Sequence, residues 1–223
     1  MGHTSKVLFK ILGLGVTAEV ITTWAIIAVV AIISLIATRR LKERPEGFQN
    51  IVETGVEYLD GFFSGILGKE RGRRFLPFLG TLFVFIILSN YSGILPGAGV
   101  FEAFKAPTSS LSVTIGLGVV TFIALQYYSL RTGVGHYFKR FVTPVALMLP
   151  LFILDEIIKP ASLALRLFGN IFGEETVTEQ LYELLPIGAP VLMMALSLLF
   201  CAIQAVVFTM LTAIYLDEAT ELE

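Results

Sequence analysis

The chain is poor in cysteine, histidine and charge. Its single cysteine, Cys201, excludes a disulfide framework. His3 and His136, its two histidines, stand far apart in polar surroundings, so no zinc-type ligand cluster is expected. Only 15% of the 223 residues are charged, against about 25% in average soluble domains. The net charge of −2 says nothing about nucleic acid, and no nucleic-acid partner is expected. Signatures of catalysis are missing too: there is no Gly-x-x-x-x-Gly-Lys, no nucleophile elbow and no His-Glu-x-x-His. No enzyme chemistry, cofactor or metal is expected of the chain by itself. It has no repeat of 20–50 residues and no low-complexity tract. Lys6 stands where a myristoylation pattern requires Ser or Thr.

What the chain does have is apolar length. Hydrophobic residues make up 55% of it, and the mean hydropathy is +0.81. The runs are long and continuous, where a membrane barrel would show short alternating segments. The reading is an all-α membrane protein, a single membrane domain over 1–223 with about five membrane helices. The spans are expected over 19–38, 75–95, 110–130, 143–182 and 189–216. Between the first two, 46–70 reads as an amphipathic surface helix. Phe48, Ile51, Val52, Leu59, Phe62, Phe63 and Ile66 recur at helical spacing, with Glu46, Asn50, Glu53, Glu57 and Asp60 on the other face.

Orientation follows from the basic residues. Arg39, Arg40 and Lys42 follow the first span as a stop-transfer signal. The 39–74 loop adds Arg44, Lys69, Arg71, Arg73 and Arg74, and the 131–140 loop holds Arg131, Lys139 and Arg140. The 96–109 loop holds only Lys105, and 174–190 holds none. The basic loops are therefore expected in the cytoplasm, the N-terminus outside and the C-terminus inside.

The fourth region is too long for an upright crossing. About 40 helical residues extend about 60 Å, against a hydrocarbon core near 30 Å. It must tilt, break at Pro144, Pro150 or Pro160, or both. With the long fifth region and the Pro186–Pro190 turn, it suggests a steeply tilted hairpin packed against another membrane protein.

Arg166 sits alone at the centre of that fourth region. A charge there costs about 2.5–3.5 kcal/mol on insertion scales, and guanidinium does not discharge to escape the cost. Ser162, Arg166, Asn170 and Gly173 fall at i, i+4, i+8 and i+11, so they share a face, with Glu174 and Glu175 following. One reading is a buried ion pair to Glu174, Glu175 or the Asp155–Glu156 pair, although Lys159 is spaced to engage the latter. The other is a permanent charge presented to a moving anion on a second subunit. Gly169 and Gly173 form a small-x-x-x-small pair that signals close helix packing. On the last helix, Ser197, Cys201 and Gln204 make a mild polar stripe, either ordinary interhelical bonding or a water-lined path. Asn90, in Ser89-Asn-Tyr-Ser, reads either as interhelical glue or as part of a polar passage.

The segment Lys159-Pro-Ala-Ser-Leu-Ala-Leu-Arg-Leu-Phe-Gly-Asn-Ile-Phe-Gly-Glu-Glu175 closely resembles the signature of F-type ATP synthase subunit a. Ile203–Tyr215, Ser89–Pro96 and Pro107–Thr114 resemble further blocks of that family, in the same order. The resemblance runs from about residue 45 to 217. It implies that Arg166 faces the carboxylates of a rotating c-ring and separates two offset half-channels. Asn170 matches the asparagine one turn on, Glu175 the acid of the outer half-channel, and Gln204 the glutamine that approaches the arginine. Glu174 is an adjacent acid that shares the task of Glu175. Ser197 stands where some members carry histidine, and Gly93 where some carry aspartate. Ser162 is assigned to the cytoplasmic half-channel from its helical facing. The implied partners are c-ring subunits, peripheral-stalk b subunits, the remaining ATP synthase subunits and the lipid of a plasma or inner membrane. The cation is a proton or sodium. Rival readings are a self-contained secondary transporter, for which no inverted repeat is visible, and a structural assembly subunit.

Overall fold

A computed structural model describes residues 7–11, 14–39, 47–94, 106–133, 149–184 and 188–220. Lys105, Lys139, Arg140, Pro144, the rest of 143–148, and the turn residues Pro186 and Ile187 lie outside the described residues. The fold is that of an all-α membrane protein. A short antiparallel hairpin, β1 (Val7–Ile11) and β2 (Leu14–Thr17), precedes the first helix. Hydropathy analysis missed it because runs of five and four residues are far shorter than a span.

Helix α1 (Ala18–Thr38) is apolar almost all round. Its buried residues among those described, Ala18, Glu19 and Thr22, lie near its start. Trp24, Ile27, Leu35 and Ile36 are exposed further along. Such a surface is stable only with lipid as its solvent.

Helix α2 (Phe48–Leu67) is the amphipathic one. Gly68, at φ +79°, turns the chain directly into α3 (Lys69–Ser92), a backbone conformation that glycine adopts without steric cost. The two helices then run back on each other so closely that a Cβ on Gly72 would lie 2.6 Å from Ser64 Cα. The first turns of α3 are charged (Lys69, Glu70, Arg71, Arg73, Arg74) and precede its apolar run.

A 3₁₀ turn, Pro107–Ser109, leads into α4 (Leu111–Thr132). Two long helices finish the chain, α5 (Leu149–Leu184) and α6 (Ala189–Thr220). Pro160 lies inside α5 and does not end it, so the helix runs unbroken for 36 residues. Its length is about 54 Å at the standard rise.

Among the described residues, four helical segments are long and apolar enough to cross a membrane: α1, α3, α4 and Leu192–Thr220 of α6. Helix α5 is long enough, but Asp155, Glu156, Lys159, Arg166, Glu174 and Glu175 interrupt its apolar surface. Packing puts it among the spans, because it lies against both α4 and α6.

Three apolar layers stack along the bundle. At one end, Phe63, Leu67, Phe75, Leu79, Leu125 and Leu216 join α2, α3, α4 and α6. In the middle, Leu82, Ile86, Leu117, Leu163, Leu167 and Phe208 join α3 to α6. At the far end the apolar layer shrinks to Ala106, Ile171 and Cys201. Polar side chains occupy the space that the core leaves there.

Ion pairs tie the first end together. Arg71 meets Asp217 at 2.6 Å, joining α3 to α6. Lys159 meets Glu218 at 2.8 Å and lies over the Tyr215 ring, joining α5 to α6.

Candidate functional site

The middle layer decides where Arg166 points. Leu163, Ala164, Leu167 and Ile171 are buried, which turns Ser162, Arg166 and Gly169 to the exposed face of α5 and leaves Asn170 half-buried. Arg166 makes no hydrogen bond or ion pair within the described residues. The acids nearest to it in the helix toward its start are engaged elsewhere. Asp155 lies 3.7 Å from Lys159, which also holds Glu218. Glu156 accepts a 3.0 Å hydrogen bond from the Gln126 amide of α4. A permanent cation therefore stands on an outward face.

That face is also open. Gly169 and Gly173 were expected to pack a neighbouring helix, yet a Cβ on either would meet nothing within 4 Å. Among the described residues the pair does not serve helix contact, because the buried face of α5 is made by Leu163, Leu167 and Ile171 instead.

The second group is buried. Asn90 of α3, 1% exposed, accepts a 2.8 Å hydrogen bond from the Thr108 hydroxyl of the 3₁₀ turn. Its amide donates to the Cys201 carbonyl of α6 at 3.4 Å. Tyr91 donates to the Leu198 carbonyl one turn away. Across the α5–α6 hairpin, the Ser197 hydroxyl stands beside the Glu174 carboxylate. Glu175, next in sequence, is exposed.

Several atoms in this layer find no hydrogen-bond partner among the described residues: Ser89 Oγ, Glu174 Oε2 and Gln204 Nε2. Leaving such a group buried and unpaired costs about 1–3 kcal/mol. Polar atoms that converge at one end of a membrane bundle are stable where water or a passing cation meets them.

The fold thus divides the sequence-predicted residues into two sets. Ser162, Arg166 and Asn170 lie along one face of α5. Asn90, Glu174, Ser197 and Gln204 come from three helices into the polar end of the bundle. Sequence reasoning missed Thr108, the Gln126–Glu156 bond and Glu19. Thr108 belongs to the Pro107–Thr114 block, whose polar start ahead of an apolar span was a usable signal. The Gln126–Glu156 partners are 30 residues apart, and nothing local announces their meeting.

Residues 20–217 match the profile of the family described as ATP synthase A chain. The ATP synthase subunit a of Moorella thermoacetica (strain ATCC 39073 / JCM 9320) is 38% identical over 218 residues, covering 97% of each chain.

Proposed function

This chain belongs to the ATP synthase A chain family, and from that premise we propose that it guides a cation to and from a rotating ring of carboxylates through two offset half-channels. It is a non-catalytic membrane subunit of an ATP synthase, with ATP chemistry performed by other subunits. The observation that carries the proposal is the outward Arg166, unpaired among the described residues, on a helix with open glycines beside it.

The partner on that face is the c-ring. An anionic carboxylate passing Arg166 is stabilised in its charged form by the guanidinium. Carrying a cation makes it neutral, so that it crosses lipid without the cost of a bare charge. Arg166 therefore keeps the two half-channels apart, since a cation crossing directly meets a fixed positive charge. Each elementary charge that traverses the membrane yields about 2.3 kcal/mol per 100 mV.

The polar end of the bundle is the extracytoplasmic half-channel, with Glu174, Glu175, Ser197, Asn90 and Gln204. Ser197 cannot hold an excess proton as imidazole does, so its role is to orient the Glu174 carboxylate. Ser162 and Asn170 face the ring, and Ser162 leads toward the cytoplasmic half-channel. The basic residues Arg71 and Arg73 lie at the opposite end from Glu174. With the other basic loop residues they orient the chain N-terminus out and C-terminus in. An unbroken α5 of about 54 Å fits a membrane core near 30 Å by tilting, which suits a ring's curved side. Peripheral-stalk b subunits hold the chain against rotation.

Arg166→Ala tests the reading. The expected result is an assembled complex, by subunit stoichiometry, that no longer couples ATP hydrolysis to cation pumping in vesicles. An assembled variant that still pumps refutes the gating role. Solute movement by the purified chain alone makes it a secondary transporter instead.

A further inference from the structure

Glu19 has no part in the mechanism above, and its placement is costly. It lies in the first turn of α1, is 4% exposed, and its Oε2 has no hydrogen-bond partner among the described residues. An acid in a first helical turn interacts favourably with the helix dipole, by about 0.3–1 kcal/mol at an exposed position. That benefit does not require burial, and taking a carboxylate out of water without a partner costs several times more.

Its surroundings connect it to the polar layer. The buried start of α1 packs against α3 and against the 3₁₀ turn Pro107–Ser109. That same turn contacts α5, and its Thr108 hydrogen-bonds Asn90, which bonds the Cys201 carbonyl. Thr22, one helical turn after Glu19, is buried on the same face. Alternation of the spans puts the start of α1, the end of α3, the 3₁₀ turn, the Glu174 end of α5 and the Ser197 end of α6 on one side of the membrane.

We propose that Glu19 is a further ion-carrying carboxylate of the extracytoplasmic half-channel, taking a cation from the outer solution and passing it toward Glu174. Binding neutralises the carboxylate, by an O–H bond to a proton or an ionic contact to sodium. Release to the next acceptor breaks that bond and restores the charge, so the acid is unchanged after each transfer. The burial cost is then offset whenever a cation is bound. The inference rests on the half-channel reading of the polar layer.

The test uses the whole ATP synthase in sealed membrane vesicles, with Glu19→Gln, Glu19→Asp and Arg166→Ala compared. ATP synthesis is driven by an imposed proton gradient and, separately, by an imposed sodium gradient. Glu19→Gln keeps the shape and the hydrogen-bonding capacity but carries no cation. It is expected to slow synthesis about tenfold with whichever cation drives the wild type, at unchanged assembly, and Glu19→Asp to restore most of the rate. Synthesis at the wild-type rate in Glu19→Gln overturns the proposal, as does a Glu19→Asp variant as slow as Glu19→Gln. If Arg166→Ala uncouples the enzyme in the same preparation, that failure belongs to Glu19 alone. If Arg166→Ala stays coupled, the half-channel reading itself falls. Should Glu19→Gln not assemble, Glu19→Asn takes its place. If neither neutral variant assembles while Glu19→Asp assembles and works, the carboxylate is structural and the proposal is wrong.

Discussion

Replacing Asn90 with leucine probes whether the polar end of the bundle is a built network. Leucine keeps asparagine's branched outline of four side-chain heavy atoms, so no cavity opens, and its bulkier methyl groups only add to the cost. Two hydrogen bonds disappear. The Thr108 hydroxyl, fully buried, loses its 2.8 Å acceptor, which costs about 1–3 kcal/mol. The Cys201 carbonyl loses only a long 3.4 Å contact and keeps its place in the helical ladder. That loss is worth about 0.6 kcal/mol, the average for interhelical bonds in membranes. The expected destabilisation is about 2.5 kcal/mol. Thr108→Val alone orphans Asn90 Oδ1 and costs about as much as one unpaired buried acceptor, 1–3 kcal/mol. The double variant orphans neither group, so its cost should fall to about 0.6 kcal/mol for the lost Cys201 contact, well below the sum. A coupling of at least about 2 kcal/mol is therefore expected. The assay is denaturant-induced unfolding of the purified complex in detergent, followed through release of this subunit. Additive costs, or a neutral Asn90→Leu, would refute the reasoning.

Glycine substitutions should separate two kinds of helix face. Gly72→Ala drives a methyl to 2.6 Å from the Ser64 backbone and should lower stability by about 1–3 kcal/mol in the same unfolding assay. Gly169→Ala meets nothing within this chain and should leave its stability unchanged or raise it by up to about 1 kcal/mol. It should nevertheless reduce ATP-driven pumping, because the open face belongs to the ring. For the ion pair, Lys159→Met should cost more than Glu218→Gln. Lys159 is 14% exposed against 50% for Glu218 and also serves Asp155. The exposed partner's contribution is expected to be at most about 1 kcal/mol and to shrink with added salt.

The membrane class was legible in composition alone, since 55% hydrophobic residues in long runs admit few soluble folds. The amphipathic α2 was legible from its 3.6-residue period. Helix α5 was harder, because its eight charged residues hide a membrane helix from any hydropathy measure. Only its packing against α4 and α6 settles that it belongs in the bundle. The polar layer was half legible. Asn90, Glu174, Ser197 and Gln204 stood out as polar residues within or bordering apolar runs. Glu19 carried the same signal but was passed over, because an acid at the start of a helix has an ordinary explanation in the helix dipole.

By itself the sequence determined that this is a helical membrane protein and that Arg166 is a permanent charge within its apolar length. Those follow from residue chemistry and periodicity, which are local. The tertiary structure decided that Arg166 has no internal partner among the described residues and that Lys159 turns to Glu218. It also brought Thr108 to Asn90 and Ser197 to Glu174, and left Glu19 buried. Side chains 18 to 59 residues apart meet only when the apolar layers choose which helix faces turn inward. Packing therefore settles what spacing leaves open.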